Sequence, residues 1–299
     1  MISNLSELIE KAKKTNPKVI AVAAAEDDAV LKAIKKAVDD KIIIPILVGD
    51  ESNIREIAGS VGFDISDIEI INNEEGLEKS AEIAVKVVSE GRADILMKGL
   101  LSTGTLLKAV LNRDYGLRKN NLLSHVAFFE SPYYHKLLCV TDVAMNIAPG
   151  IEDKVHILNN AVEACHKIGI EEPKVAVIAA IETVNDKMPA TVEAAVLKEM
   201  NKNNQIKNCI VDGPLAIDNA VSKEAAILKG INSDVAGDCD VILAPDIEAG
   251  NMFYKALSFL GGASVAAVIM GAAVPVVLTS RSDDEKSKFL SIALAAAMD

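Results

Sequence analysis

Aromatic side chains are scarce in this 299-residue chain, where they make up 3% of the residues and tryptophan is absent. Hydrophobic residues nevertheless account for 50% of the sequence, so the volume of a core must come from Val, Ile, Leu and Ala. At the usual size of about 150 residues per domain, the length predicts two domains.

Positive charge is also in short supply. The chain has 31 basic and 43 acidic residues, which gives a net charge of −12. This balance argues against a nucleic-acid-binding surface. An anionic substrate would therefore have to be attracted by a local cluster of cations, against the field of the whole protein.

Cysteines are few, and they are widely separated, with no C-x-x-C pair (Cys139, Cys165, Cys209 and Cys239). This pattern predicts buried, reduced thiols in a cytoplasmic protein and argues against a metal site. No signal peptide is indicated. The charge-free stretch 256–279 contains Gly261, Gly262, Gly271 and Pro275, which favours a helix–strand–turn–strand arrangement over a membrane span.

Three nucleotide and hydrolase motifs are missing as well: G-x-G-x-x-G after the first strand, the P-loop G-x-x-x-x-G-K-[ST], and the G-x-S-x-G elbow. Dinucleotide-binding, P-loop and α/β-hydrolase functions therefore lose their main support.

Short apolar runs alternate with helical patterns along the chain, which is typical of a parallel sheet covered by helices on both faces. Strands are predicted at 18–25, 42–48, 67–72, 94–97, 174–180, 208–212 and 240–244, and helices at 28–40, 51–60, 75–91, 103–112 and 152–168. We predict one α/β domain from residues 1–142 and 284–299 and a second from 143–283. Asp212-Gly213-Pro214 predicts a turn.

The sharpest local feature is Ser280-Arg281, which follows the apolar run 275–279 and precedes an amphipathic helix. Ligands of open α/β sheets bind beyond the carboxyl ends of the strands, where helix N-termini offer N–H groups to anions. A hydroxyl and a guanidinium placed there suit a phosphate. Capping by Ser280 and a surface ion pair of Arg281 are the alternative interpretation.

Two further strand ends carry polar groups. Lys98 follows the strand 94–97 and precedes Ser102 and Thr103, which could cap a helix. Capping does not explain Lys98 or Lys108, so an anion site is an open alternative. After the strand 240–244, Gly250-Asn251 is predicted to open a helix that bears Tyr254 and Lys255.

Taken together, these segments resemble the phosphate acetyl/butyryltransferase family. The matching residues are Lys98-Gly99, Ser102-Thr103-Gly104, Asp212-Gly213-Pro214-Leu215, Asp218-Asn219-Ala220, Val235-Ala236-Gly237, 245–251, Tyr254-Lys255, 260–263 and Thr279-Ser280-Arg281. Their order and spacing hold over nearly the whole chain. The length and the stretches 182–191 and 291–295 resemble the butyryl branch.

The resemblance implies two α/β/α domains with mostly parallel sheets, similar to isopropylmalate dehydrogenase, with the active site in an interdomain cleft. It also implies a homodimer or larger assembly, no permanently bound cofactor, and the reaction acyl-CoA plus phosphate giving acyl phosphate plus CoA. Acyl-CoA and phosphate would be the substrates, with no nucleic-acid or membrane partner.

The resemblance further implies site roles. Ser280 would orient the CoA sulfur, and Arg281 would bind phosphate and the developing carbonyl charge. Tyr254 and Lys255 would hold the phosphoryl group, with Thr103 near it. The remaining candidate substrate-binding residues are Lys98, Lys108, Gly250 and Asn251.

Two positions depart from the acetyl branch of the family. Lys108 stands where that branch has arginine. The positive charge is kept, but an ammonium lacks the guanidinium's ability to bind an oxyanion through two parallel hydrogen bonds. Ser287 stands where it has a catalytic aspartate, and we expect Asp283 to take that role, with Asp284 as the other candidate.

Three alternative functions stay open: a phosphate acetyltransferase, a metal-dependent 2-hydroxyacid dehydrogenase, and a catalytically silent CoA-binding relative.

Overall fold

The computed structural model describes residues 2–119, 122–279 and 283–298. By the contacts between their residues, two compact units form, here called the flanking unit (Ser6–Asn121 and Ala266–Asp299) and the central unit (Met1–Leu5 and Leu122–Val265). The predicted domain boundaries, after residues 142 and 283, differ from these. The first boundary differs because residues 124–130 and 138–141 form strands that pair within the central unit. The second differs because residues 276–277 pair with residues 96–97 of the flanking unit.

Strands and helices alternate through most of the chain. The strands are β1 (Lys18–Ala23), β2 (Ile43–Gly49), β3 (Glu69–Asn72), β4 (Ile95–Lys98), β5 (Ser124–Glu130), β6 (Leu138–Thr141), β7 (Lys174–Ile178), β8 (Ile210–Leu215), β9 (Val241–Leu243), β10 (Ser264–Met270) and β11 (Val276–Val277). The α-helices are α1 (Leu5–Lys14), α2 (Asp28–Asp39), α3 (Glu51–Ser60), α4 (Leu77–Ser89), α5 (Thr103–Val110), α6 (Ile151–Ile168), α7 (Pro189–Lys202), α8 (Ile217–Val221), α9 (Lys223–Leu228), α10 (Ile247–Lys255) and α11 (Glu285–Ala297).

The sheet of the flanking unit has the strand order β3-β2-β1-β4-β11-β10. Among its described pairs only β10–β11 is antiparallel. The chain moves outward from β1 to β3 and then returns past β1 to β4, so right-handed connections place α2 and α3 on one face and α4 on the other. The direction of winding therefore reverses between β1 and β4, which is where open α/β sheets bind ligands.

The sheet of the central unit has the order β5-β6-β9-β7-β8. Its described pairs are parallel except for the β5–β6 hairpin. β6 and β9 are parallel neighbours, and the backbone N–H of Ala244 continues their pairing by donating to the carbonyl of Thr141 at 2.7 Å. The segments that follow these two strands therefore lie at the same edge of the sheet.

The α/β class with mostly parallel strands, predicted from the alternation of patterns, is confirmed. The stretch after Lys255 forms a short π-helix (Ala256–Leu260), then β10, a turn and β11, as predicted. No helix in the described part of the chain is both long and apolar enough to span a bilayer.

The turn predicted at Asp212-Gly213-Pro214 is wrong, because these residues lie inside β8. A Cβ on Gly213 would come within 2.9 Å of the Val177 carbonyl oxygen on the neighbouring strand. The register between β7 and β8 also shifts beside this position. Gly213 therefore allows β7 and β8 to approach closely at the point where their register shifts.

Candidate functional site

Lys98 ends β4, next to the point where the winding of the flanking sheet reverses. Its side chain is buried, and Nζ donates to the carbonyls of Gly99 at 3.1 Å and Leu101 at 3.2 Å. The ammonium therefore binds the backbone of the loop that leads to α5. In this position Lys98 shapes the loop, and its role as a direct substrate ligand stays a prediction.

The turn after Lys98 lies unusually close to the end of β1. The N–H of Leu100 donates to the Ala24 carbonyl at 2.7 Å, and a Cβ on Gly99 would meet that same oxygen at 1.9 Å. Ala24 itself has φ of 56°, in the left-handed region that costs a non-glycine residue energy. Strained backbone of this kind is concentrated at functional sites, which supports the choice of this turn.

Helix α5 begins at Thr103. Of the two residues that could cap it, Ser102 is the N-cap, since its Oγ accepts from the Thr105 N–H at 3.1 Å. Thr103 is exposed at the first helical position. The helix N-terminus offers the partial positive charge that suits an anion.

Lys108 lies in the last turn of α5, on the wall of an open groove of about 650 Å³. Ser102, Gly104 and Thr105 line the same groove, and so do Lys79 and three glutamates, Glu75, Glu78 and Glu82. These carboxylates oppose an anion in the groove. The phosphate-binding role of Lys108 stays a prediction, and the groove does not strengthen it.

Ser280 and Arg281 lie outside the described residues, so their predicted roles stay predictions. The chain is described up to Thr279, which is buried, and again from Asp283. The Asp283 carbonyl accepts from the buried ammonium of Lys288 at 2.7 Å.

Helix α11 begins at Glu285, with Asp284 as its N-cap. Asp284 accepts from the N–H of Ser287 at 2.8 Å, and this hydrogen bond lowers the pKa of the Asp284 carboxyl. A carboxylate whose charged form is stabilised by a cap is a weaker base. The choice of Asp283 over Asp284 for the role of an aspartate at position 287 stays a prediction.

Helix α10 does not begin at Gly250, as predicted, but at Ile247, where Asp246 caps it by accepting from the Ala249 N–H at 2.8 Å. Gly250 lies inside the helix, and its buried face packs on the turn after β6. A Cβ there would come within 2.5 Å of the Asp142 carbonyl oxygen. The glycine is required for close packing of the helix rather than for its start.

The neighbouring candidates extend the same contact. Asn251 donates from Nδ2 to the Val143 carbonyl at 3.0 Å. The Tyr254 ring packs edge-to-face against His125 and Phe129, with centroids 5.8 Å and 5.2 Å apart. Lys255 is exposed at the C-terminal end of α10, where the helix dipole favours a cation. Gly250, Asn251, Tyr254 and Lys255 are thus brought together on one helix.

Asp142 supports this helix and was not anticipated from the sequence. Its buried carboxylate accepts hydrogen bonds from the backbone N–H groups of His125, Ala144, Met145 and Asn146 and from the Asn146 side chain, at 2.6–3.2 Å. The only local signal is a carboxylate at the end of a buried apolar run. Its donors come largely from the turn that follows, which the apolar pattern could not reveal.

His125 is buried beside Asp142. Burial lowers the pKa of its imidazole, although Asp142 acts to raise it. Its Nδ1 has no hydrogen-bond partner among the described residues.

Among the described residues, no cluster of three or more His, Cys, Asp or Glu side chains could hold a metal ion. The four cysteines are free and buried. The candidate residues themselves offer backbone amides, hydroxyls, cations and the carboxylate of Asp283.

The model of the family described as Phosphate acetyl/butaryl transferase matches residues 4–83 and 74–296. The chain belongs to this family. A phosphate butyryltransferase of Clostridium acetobutylicum is 48% identical over 296 residues, which are 99% of this chain and 98% of that protein. A phosphate acetyltransferase of Thermotoga maritima is 46% identical over 292 residues, 98% of each chain.

A solved structure is similar throughout as well. The crystal structure of a branched-chain phosphotransacylase from Enterococcus faecalis V583 has a TM-score of 0.83 and 35% identity, and the match covers 94% of this chain and 98% of that one. Membership in the family inferred from the sequence motifs is thereby confirmed.

Proposed function

We propose that the protein is a phosphate butyryltransferase, which transfers a short-chain acyl group, most suitably butanoyl, between CoA and inorganic phosphate. The observation that carries the proposal is the similarity to the Clostridium acetobutylicum phosphate butyryltransferase over essentially the full length of both chains. CoA, acyl-CoA and phosphate are the substrates, and no cofactor is permanently bound.

The reaction proceeds by direct attack within a ternary complex. In the direction of CoA acylation, the CoA sulfur attacks the carbonyl carbon of the acyl phosphate, the bond from that carbon to the bridging oxygen breaks, and phosphate leaves. A free thiol with a pKa of about 8.5 is only a few per cent ionised near neutral pH. A base must therefore accept the thiol proton, and we assign this role to Asp283.

The other roles are those that the resemblance to the family implies, and the chemistry of the side chains suits them. Ser280 orients the sulfur, and Arg281 stabilises both the phosphate and the negative charge that develops on the carbonyl oxygen. Tyr254 and Lys255 hold the phosphoryl group, with the N-terminus of α5 at Thr103 adding backbone N–H groups. Lys108 adds a positive charge, but its ammonium cannot bind the phosphate through two parallel hydrogen bonds as a guanidinium would.

The arrangement within α10 supports these assignments. The helix is fixed to the turn after β6 by the Asn251 hydrogen bond and the close packing of Gly250. Rigid placement of the groups that hold a substrate accounts for much of an enzyme's rate.

Release of thiol from butyryl-CoA tests the proposal directly. With the purified protein, release should require inorganic phosphate and should saturate with its concentration. Arsenate should replace phosphate, because an acyl arsenate would also form and would then hydrolyse. Thiol release that does not depend on either oxyanion would contradict the proposal.

Phosphate acetyltransferase activity is the second candidate, and the similarity to the Thermotoga maritima phosphate acetyltransferase favours it. Butanoyl is longer than acetyl by two methylenes, and each methylene in an apolar pocket is worth only about 1–3 kcal/mol, so a pocket that fits butanoyl can still accept acetyl at a lower kcat/KM. Comparing kcat/KM for acetyl-, butyryl- and branched-chain acyl-CoA decides between them.

We further propose a homodimer or larger homo-oligomer located in the cytoplasm. The buried, unpaired cysteines are consistent with a reducing compartment. Light scattering of the purified protein measures the subunit number.

A further inference from the structure

Three aromatic rings meet where α10 packs on the β5–β6 hairpin. Tyr254 lies edge-to-face against His125, at an interplanar angle of 77°, and against Phe129, at 73°. His125 and Phe129 are both buried on β5, and Tyr254 is half-buried on the helix. The ring that we assign to the phosphoryl group therefore rests on two fixed rings.

The backbone of His125 is held on both sides. Its N–H donates to the Asp142 carboxylate at 3.2 Å, and its carbonyl accepts from the Thr141 hydroxyl at 2.9 Å. The same Asp142 carboxylate is fixed by the turn 144–146. Displacement of the backbone that carries this imidazole would therefore break both of these hydrogen bonds.

We propose that His125 is a positioning residue that sets the orientation of the Tyr254 ring. This inference rests on the proposed function, in which Tyr254 contacts the phosphoryl group. His125 itself has no contact with the reacting atoms in this scheme. It acts through Tyr254.

The edge of the imidazole ring makes this contribution. Nδ1 is buried without a hydrogen-bond partner among the described residues, so hydrogen bonding through that atom does not hold Tyr254. A buried polar atom without a partner lowers stability. A phenylalanine at position 125 would keep a ring edge of similar shape and remove that cost.

Three variants separate positioning from general support of the fold. His125→Leu removes the ring, His125→Phe keeps it, and Tyr254→Leu removes the partner ring. An edge-to-face contact accounts for a change in rate of about twofold to tenfold. We expect His125→Leu to lower kcat for phosphate-dependent CoA release by that factor, and His125→Phe to restore it with an equal or higher melting temperature.

A double-mutant cycle gives the decisive readout. In the Tyr254→Leu background, His125→Leu should cause no further loss of kcat, because the pair is already broken. An equal loss in both backgrounds, or full activity of His125→Leu alone, would overturn the proposal. His156→Leu, at an exposed position of α6, is the matched control and should match the wild type.

The orientation of Tyr254 can also be followed without activity. The chain has four tyrosines and no tryptophan, so the near-ultraviolet circular dichroism difference between wild type and Tyr254→Leu isolates a signal dominated by Tyr254. When His125→Leu is introduced into both proteins, the difference between them should become smaller. When His125→Phe is introduced into both, the difference should stay the same. If the wild type releases no CoA with phosphate, the proposed function fails, while an unchanged dichroism difference refutes the positioning role alone.

Discussion

The packing of Gly250 on the turn after β6 gives a sharp test of how α10 is placed. An alanine Cβ at this position would lie 2.5 Å from the Asp142 carbonyl oxygen and 3.1 Å from the Ala244 Cβ, whereas ordinary contact begins near 3.4 Å. The helix would therefore have to move away by roughly 0.9 Å. Neither neighbour can give way, because one is backbone and the other is the buried Ala244, directly after β9.

Two opposing terms set the effect of Gly250→Ala on stability. Forced overpacking costs about 1–3 kcal/mol, and replacing a helical glycine by alanine contributes about 1 kcal/mol in the other direction. The free energy of unfolding should therefore fall by about 0–2 kcal/mol. The effect on turnover should be larger, because a displacement of about 1 Å in a positioned group can lower the rate about 10²-fold.

Gly59 provides the matched control. It also lies within a helix, α3, but a Cβ there would meet nothing within 4 Å. Gly59→Ala should raise the free energy of unfolding by up to about 1 kcal/mol and leave turnover unchanged. Urea unfolding and the thiol-release assay measure both quantities. Normal turnover of a folded Gly250→Ala protein would refute the reasoning.

Three further changes test the charged residues. Arg281→Ala should lower kcat by about 10²–10³-fold while leaving the fold intact, as measured by steady-state kinetics and circular dichroism, and near-normal turnover would count against its role. Asp283→Asn should lower the maximal rate across the pH profile, because the thiol loses its base; an unchanged maximum removes Asp283 from the mechanism. Burial acts to raise the pKa of Asp238, but hydrogen bonds from Lys174 and Lys136 hold it well below its ordinary value. Its contribution to stability is therefore present above about pH 4 and is lost as the pH falls below that, so the melting temperatures of wild type and Asp238→Asn should differ near neutrality and converge in acid.

The layout of the fold could be predicted because buried parallel strands and their covering helices leave a strong local pattern. The strand β4 lies within one residue of the predicted range 94–97, and α5 starts at Thr103 as predicted. The start of α10 was misplaced because Gly250 was interpreted as a boundary. The capping signal of Asp246 was the better guide, since aspartate commonly accepts from the first free N–H groups.

The support of α10 could not be predicted, because it depends on pairings between distant parts of the chain. Asp142 and His125 are 17 residues apart and meet only when β5 and β6 pair. Neither residue carries a local motif. The close approach at Gly250 is likewise set by the pairing of β6 with β9.

Phosphorus NMR of the reaction of butyryl-CoA with inorganic phosphate tests the central claim most directly. The account predicts that an acyl phosphate resonance appears in the same amount as the thiol released, and that added CoA reverses its formation. Thiol release with no acyl phosphate would identify a hydrolase and contradict the account.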